Sequence, residues 1–252
     1  MSNTLDLSKE LVGRRALITG GSRGIGAAIA QRLLDAGAKV AVVARKPNGD
    51  TPAGATFVPG DVTASEGVEA IATQAITALG GLDILVNNAG GGRAFMQGSW
   101  TISDKEWNDS FALNLFAAIR LTNSVLPALR ASQAAAVVNI SSAAASMPFG
   151  PFAHYGAAKA GLEYYSRTLA MELAPSGIRV NVVSPGVIST PGSEEFARTT
   201  PGFSPDDWLR YVPLGRIGAT ADIAEVVALL VSDRGKFLTG TNYRVDGGMA
   251  AR

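Results

Sequence analysis

Tyr155 and Lys159 lie four residues apart in "HYGAAKAG". On a helix that spacing stacks two side chains on one face, within reach of each other or of a shared ligand. A phenol with an ordinary pKa of about 10 is too reluctant an acid to cycle near neutrality. A neighbouring ammonium favours the phenolate and lowers that value, so the pair could pass a proton. A second stretch, "ITGGSRGIGAAIA" at residues 18–30, overlays two chemistries. As G-x-S-x-G (Gly20, Ser22, Gly24) it is the elbow that lifts a hydrolase's serine nucleophile. As T-G-x-x-x-G-x-G (Thr19, Gly20, Gly24, Gly26) it is a turn that brings backbone close to a pyrophosphate, whose charge the following helix N-terminus favours. Neither G-x-G-x-x-G nor a P-loop fits, because position 29 is Ile and Ala27 follows Gly26. The hydrolase reading also needs a histidine, and its elbow would follow the very first strand instead of lying well inside the sheet.

The elements that must position these groups alternate along the chain. Runs of β-branched residues predict strands at 14–19, 39–44, 55–60, 83–88, 136–141, 178–184 and 242–245. Helical periodicity predicts helices near 24–36, 65–79, 104–131, 152–173 and 221–232. Several strands are apolar on both faces, as strands covered by helices on each side are. The fold class expected is α/β: a Rossmann-type, doubly wound parallel sheet of about seven strands with helices on both faces, as a single domain over residues 1–252. Residues 186–216 break the rhythm, being rich in Pro, Gly and aromatics (Phe196, Phe203, Trp208, Tyr211), and are expected to be a substrate-covering loop.

Composition excludes other classes. A formal charge of +1 with scattered basic residues gives no surface for nucleic acid. Without cysteine there is no disulfide, thiolate nucleophile or Cys-ligated metal, and one histidine makes no zinc site, so no metal is expected. The amino terminus is polar and no apolar run reaches membrane-spanning length, so the expectation is a soluble, cytoplasmic protein with no membrane partner. His154, with no metal partner or acid in sequence reach, is expected at the surface or the rim of a pocket.

Taken in order, T-G-x-x-x-G-x-G at 19–26, "GDV" at 60–62, "NNAG" at 87–90, Asn114, Ser142, Y-x-x-x-K at 155–159 and "SPGVIST" at 184–190 resemble the short-chain dehydrogenase/reductase family over nearly the whole chain. The resemblance implies that Tyr155 is the acid/base, Lys159 its tuner, Ser142 the donor to the substrate oxygen and Asn114 part of a proton relay. It implies a nicotinamide dinucleotide held by Gly20, Ser22, Arg23, Gly24, Ile25 and Gly26, by Arg45, by Asp61 and Val62 beside the adenine, and by Asn88 and Gly90. Tyr155, Lys159, Pro185, Gly186, Ile188 and Thr190 then surround the nicotinamide, with the Ile188 backbone and the Thr190 hydroxyl against its carboxamide. Those residue types suit the chemistry. Hydride arriving at a carbonyl carbon leaves charge on oxygen, which needs an aimed donor and then a proton, and the cofactor supplies electrons that no side chain could.

An NAD site places an acid on the ribose 2′-OH about 20 residues past the glycine turn. Here that position is Ala44, followed by Arg45 and Lys46, with no carboxylate before Asp50. Two guanidinium groups, Arg23 and Arg45, suit a 2′-phosphate, so NADP(H) is expected over NAD(H). Phe95, Met96, Met147, Phe149 and Phe152 suggest an apolar or mixed pocket for a small carbonyl or alcohol substrate. Only Arg130 could supply the basic mouth that carrier-protein substrates favour in the family. Small residues on several faces of the helices at 104–131 and 152–173, with the family resemblance, suggest a homotetramer. Two other readings stay open: a serine hydrolase using Ser22, and a catalytically silent NADPH-binding regulator, which would be expected to have lost Tyr155 or Lys159.

Overall fold

The computed structural model describes residues 6–200 and 204–251. Seven strands, β1 (Arg15–Thr19), β2 (Lys39–Ala44), β3 (Thr56–Pro59), β4 (Ile84–Asn87), β5 (Ala136–Ile140), β6 (Arg179–Pro185) and β7 (Asn242–Val245), form one parallel sheet in the order β3-β2-β1-β4-β5-β6-β7. Each matches its predicted strand to within one residue at either end. Along β1, alternate side chains enter two separate cores: Ala16 and Ile18 on one face, Leu17 on the other, all fully buried. Helices α1 (Gly24–Asp35) and α7 (Thr220–Val231) close the first face with Ile29, Leu33, Ile223 and Val227. Helices α2 (Val68–Leu79), α4 (Ala117–Arg130) and α5 (Ala153–Leu173) close the second with Ile71, Leu121, Val125 and Leu169.

Strand order decides where a ligand fits. β1 lies between β2 and β4, so the chain builds outward one way to β3 and the other way from β4 to β7. Loops leaving β1 and β4 diverge to opposite faces, and a crevice opens at their carboxyl ends. The opposite edge is tied shut. Asp83 accepts from Arg15 Nε at 2.8 Å, Arg15 Nη2 at 2.9 Å and Ser132 Oγ at 2.6 Å, joining the starts of β1, β4 and β5. Burial works against the Asp83 charge, but these hydrogen bonds outweigh it and hold the carboxyl below its ordinary value.

Helix α3 (Asp104–Phe111) runs into α4 through a π-helical segment, Ala112–Phe116, forming the continuous helix predicted at 104–131. Leu121, Val125 and Leu129 are fully buried, so the apolar character of α4 is that of a core helix.

The stretch 186–216 is not a plain loop. It contains α6 (Pro191–Thr199) and a 3₁₀ segment, Pro205–Tyr211. Each begins with a hydroxyl residue followed by proline and closed by a capping box: Thr190 with Ser193, and Ser204 with Asp207. Phe203 lies outside the described residues.

Candidate active site

The glycine turn is shaped by backbone that side chains would spoil. Gly20 (φ 64°) and Gly24 (φ 56°) occupy the left-handed region. A Cβ on Gly26 would collide with the Gly20 carbonyl and lie 2.5 Å from Asn88 Nδ2. α1 begins here with no acid in its first turn, so its unpaired N–H groups and dipole meet no competing carboxylate. β4 is latched to this turn. Thr19 Oγ1 accepts from the amides of Asn88 (3.0 Å) and Ala89 (2.9 Å), while Asn88 Nδ2 donates to the Thr19 carbonyl at 2.9 Å.

From this turn a cleft of about 1110 Å³ runs across the carboxyl ends of the strands. Its lining includes Gly20, Ser22, Arg23, Gly24, Ile25 and Gly26 at one end, with Arg45, Asp61, Val62, Asn88 and Gly90 along it. Ser142, Tyr155, Lys159, Pro185, Gly186, Ile188 and Thr190 line it further on. Arg23 and Arg45 are exposed at the first end. Asp61, on the same wall, accepts from the amide and hydroxyl of Thr63 at 2.9 and 2.7 Å. Those bonds, then the charge of Arg45, hold its carboxyl below the ordinary range despite some burial. Thr190 lines the cleft with its hydroxyl already engaged, capping α6 by accepting from the Ser193 amide at 3.1 Å.

Tyr155 and Lys159 stand one helical turn apart on α5, with the Lys159 Nζ 5.8 Å from the centre of the Tyr155 ring. The helix can approach the strand ends because residue 156 is glycine; a Cβ there would lie 2.6 Å from the Ala144 carbonyl. Lys159 is 2% exposed and donates to the Ile140 carbonyl at 2.7 Å. Burial pushes its ammonium down to about 8, against the opposing charge of Glu163. Burial pushes the Tyr155 phenol up, and a hydrogen bond with Ser142 pulls it back. Burial is the leading influence on this phenol, ahead of Ser142.

Asn114 does not line the cleft. It is 1% exposed at the middle of the π segment, accepting from the Gly91 amide at 3.0 Å and donating to the Gly91 carbonyl at 2.9 Å. A Cβ on Gly90 would lie 2.9 Å from Asn114 Oδ1 and 3.0 Å from Lys159 Nζ, so both groups flank that glycine.

Several expectations are corrected. His154 is neither on the surface nor at a rim: it is 2% exposed, packed edge-on to Phe95 (5.3 Å) and Trp107 (6.1 Å). Phe95, packed on His154, and the exposed Met96 do not line the cleft, whereas Met147, Phe149 and Phe152 do. Arg130, the last residue of α4, does not line it either. Nor is a Ser–His pair assembled, since Ser22 lines the cleft and the chain's single histidine does not.

One participant escaped the sequence reading. Glu163, a turn beyond Lys159, accepts from Ser141 at 2.8 Å and Ser184 at 2.9 Å through the same Oε1. It joins α5 to the ends of β5 and β6. The i, i+4 step from Lys159 and the serines preceding Ser142 and Pro185 were the available signals.

Comparison with known proteins agrees with this geometry. The family profile described as enoyl-(acyl carrier protein) reductase matches residues 20–250. The 3-oxoacyl-(acyl-carrier-protein) reductase FabG of Escherichia coli is 38% identical over 243 residues, covering 94% of this chain and 97% of its own. 3beta-Hydroxysteroid dehydrogenase 1 of Eggerthella lenta is 35% identical, covering 95% of each chain. Among solved structures, ligand-free aldohexose dehydrogenase of Thermoplasma acidophilum superposes with a TM-score of 0.89 at 30% identity, over 97% of this chain and 96% of that one. A putative short-chain alcohol dehydrogenase of Sinorhizobium meliloti gives 0.86 at 35%, over 97% and 99%. Matched nearly end to end in sequence and in fold, the chain belongs to the short-chain dehydrogenase/reductase family of oxidoreductases.

Proposed function

We propose that this oxidoreductase interconverts a ketone and a secondary alcohol, using NADP(H) and taking Tyr155 as its acid/base. The observation that carries the reading is one cleft joining the glycine turn to Ser142, Tyr155 and Lys159. Its lining fits a dinucleotide: the crowding at Gly26 leaves backbone alone at the turn, and α1 presents an acid-free first turn. The turn from Gly20 to Gly26 holds the pyrophosphate, and Asp61 and Val62 border the adenine. Asn88 and Gly90 line the middle, and Pro185, Gly186, Ile188 and Thr190 border the nicotinamide. Arg23 and Arg45 grip a 2′-phosphate. When bound, the nicotinamide supplies the hydride.

In the reducing direction Tyr155 gives its proton to the carbonyl oxygen, and Ser142 donates a hydrogen bond to that same oxygen. Lys159, titrating near 8, is still an ammonium at pH 7 and so is charged when the phenolate forms. Asn114 grips Gly91 and keeps the wall beside Lys159 in place, the position from which it serves a proton relay. The segment at 186–216 covers the substrate. The subunit works as a homotetramer, for which the support is the exposed apolar surface on the π segment and α5, at Phe116, Tyr164 and Met171.

With NADPH and a carbonyl panel followed by cofactor absorbance, Tyr155→Phe is expected to lose at least about 100-fold in rate while still binding NADPH; undiminished turnover would argue for another proton donor. In the same assay Arg45→Ala is expected to reduce the NADPH-over-NADH preference in kcat/KM about tenfold, and an unchanged ratio rejects the 2′-phosphate assignment. Because the charge of Glu163 raises the Lys159 pKa against burial, Glu163→Gln removes that support while leaving an oxygen for both serines. Lys159 should then titrate near 8 in the parent and at lower pH in the variant, read by NMR of ¹³Cε-labelled lysine; coincident midpoints would take Glu163 out of the site's electrostatics. Sedimentation at micromolar concentration should show a tetramer, and a monomer there overturns that assembly.

A further inference from the structure

Beyond Tyr155 the cleft changes character. Phe149 and Phe152, from the turn before α5, lie nearly parallel, with centroids 5.7 Å apart and planes 14° apart. Phe152 meets Phe196 of α6 at 5.7 Å, Phe196 meets Trp208 of the 3₁₀ segment at 5.7 Å, and Trp208 returns to Phe149 at 6.2 Å. Four rings from three segments thus form a closed cycle of contacts. Phe152 also stands edge-on to Tyr155, at 6.3 Å and 70°, which sets the cycle directly beside the phenol. Phe149, Phe152 and Trp208 line the cleft, together with Met147 and Met249.

We propose that the substrate is a ketone or secondary alcohol set in a rigid, apolar, fused-ring skeleton, with one ring lying against this aromatic wall and the oxygen at Tyr155. The proposal rests on the reductase reading above and deepens it.

Three physical arguments select that class. Aromatic faces and edges held by mutual contact offer flat, fixed surfaces, which a rigid ring system matches while losing little conformational freedom on binding; a flexible acyl chain loses much more. A polyhydroxylated substrate would set hydroxyls against the ring faces of Phe149, Phe152 and Trp208, a mismatch that is penalised. A carrier-bound thioester brings phosphate to the mouth, yet the cationic side chains among the described lining residues are Arg23, Arg45 and Lys46 at the opposite end, and Lys159, committed to the Ile140 carbonyl. Tyr155 and Ser142 satisfy a single oxygen. Beside that oxygen the rings of Phe149, Phe152 and Trp208 give an apolar frame its surface, while Tyr211 and Ser193 add hydroxyls elsewhere in the lining.

The test compares 1-decalone with 2-decanone, which has the same number of carbons without rings, and with the N-acetylcysteamine thioester of acetoacetate. Binding to the NADP⁺-saturated protein is measured by calorimetry, and kcat/KM with NADPH by absorbance. 1-Decalone should bind more tightly than either comparator and exceed both in kcat/KM by about tenfold or more. Trp208→Ala should reduce that advantage about tenfold, chiefly through KM, with NADPH affinity unchanged and with Trp208→Phe restoring most of it. Phe149→Ala, at a partly exposed position on another segment, repeats the test should Trp208→Ala fail to fold. A preference for 2-decanone or the thioester, an absence of decalone binding, or variants that leave the ranking unchanged overturns the proposal. Decalone bound as expected but no carbonyl reduced supports this pocket assignment and defeats the reductase reading instead. Reduction of other ketones without decalone binding does the reverse.

Discussion

Lys159 carries a charge into a place where water does not reach it, and the working half of the molecule is arranged around that burden. An isolated buried ammonium is strongly disfavoured unless it is hydrogen-bonded and opposed by negative charge. The Ile140 carbonyl supplies the bond and Glu163, one turn along, supplies the charge. Each brings its own element with it. Ile140 ends β5, and Glu163 reaches the serines at the ends of β5 and β6, so the lysine is tolerated only where helix and both strands meet. Gly90 brings in the β4 loop, since nothing larger fits between Asn114 and the ammonium.

The cleft divides along a chemical boundary. Its first half is rich in glycine backbone and exposed arginine, suited to phosphate; its second gathers the rings of Phe149, Phe152 and Trp208 around Tyr155 and Ser142, with Tyr211 also in the lining. Tyr155 belongs to both, with Ser142 acting on its phenol on one side and Phe152 in edge contact on the other. Burial raises the pKa of its phenol.

The sheet was legible because its signal is local. Strands such as Leu85–Val86 and Val137–Val138 are apolar on both faces, and seven runs of this kind alternating with helical periods leave few topologies. The catalytic and cofactor residues named for the cleft were legible from their spacing, and all but Asn114 line it. What escaped depends on contacts distant in sequence. His154 reads as polar, yet Phe95 and Trp107, respectively 59 and 47 positions earlier, enclose it. Glu163 reads as an ordinary helix charge until Ser141 and Ser184 come to it. Within 186–216 the failure was of another kind: Thr190-Pro191 and Ser204-Pro205 are helix starts in plain view, outweighed by the density of Pro and Gly around them.

The bare backbone of Gly156 against the Ala144 carbonyl fixes how α5 is turned about its own axis. Successive helical residues are rotated by about 100°, so the one missing side chain selects which neighbours look into the cleft: the phenol at 155 and the amine at 159. With even a methyl group in the gap the helix would have to roll or lift, carrying both groups off their line together. The orientation of both side chains is thus set by an atom the sequence leaves out.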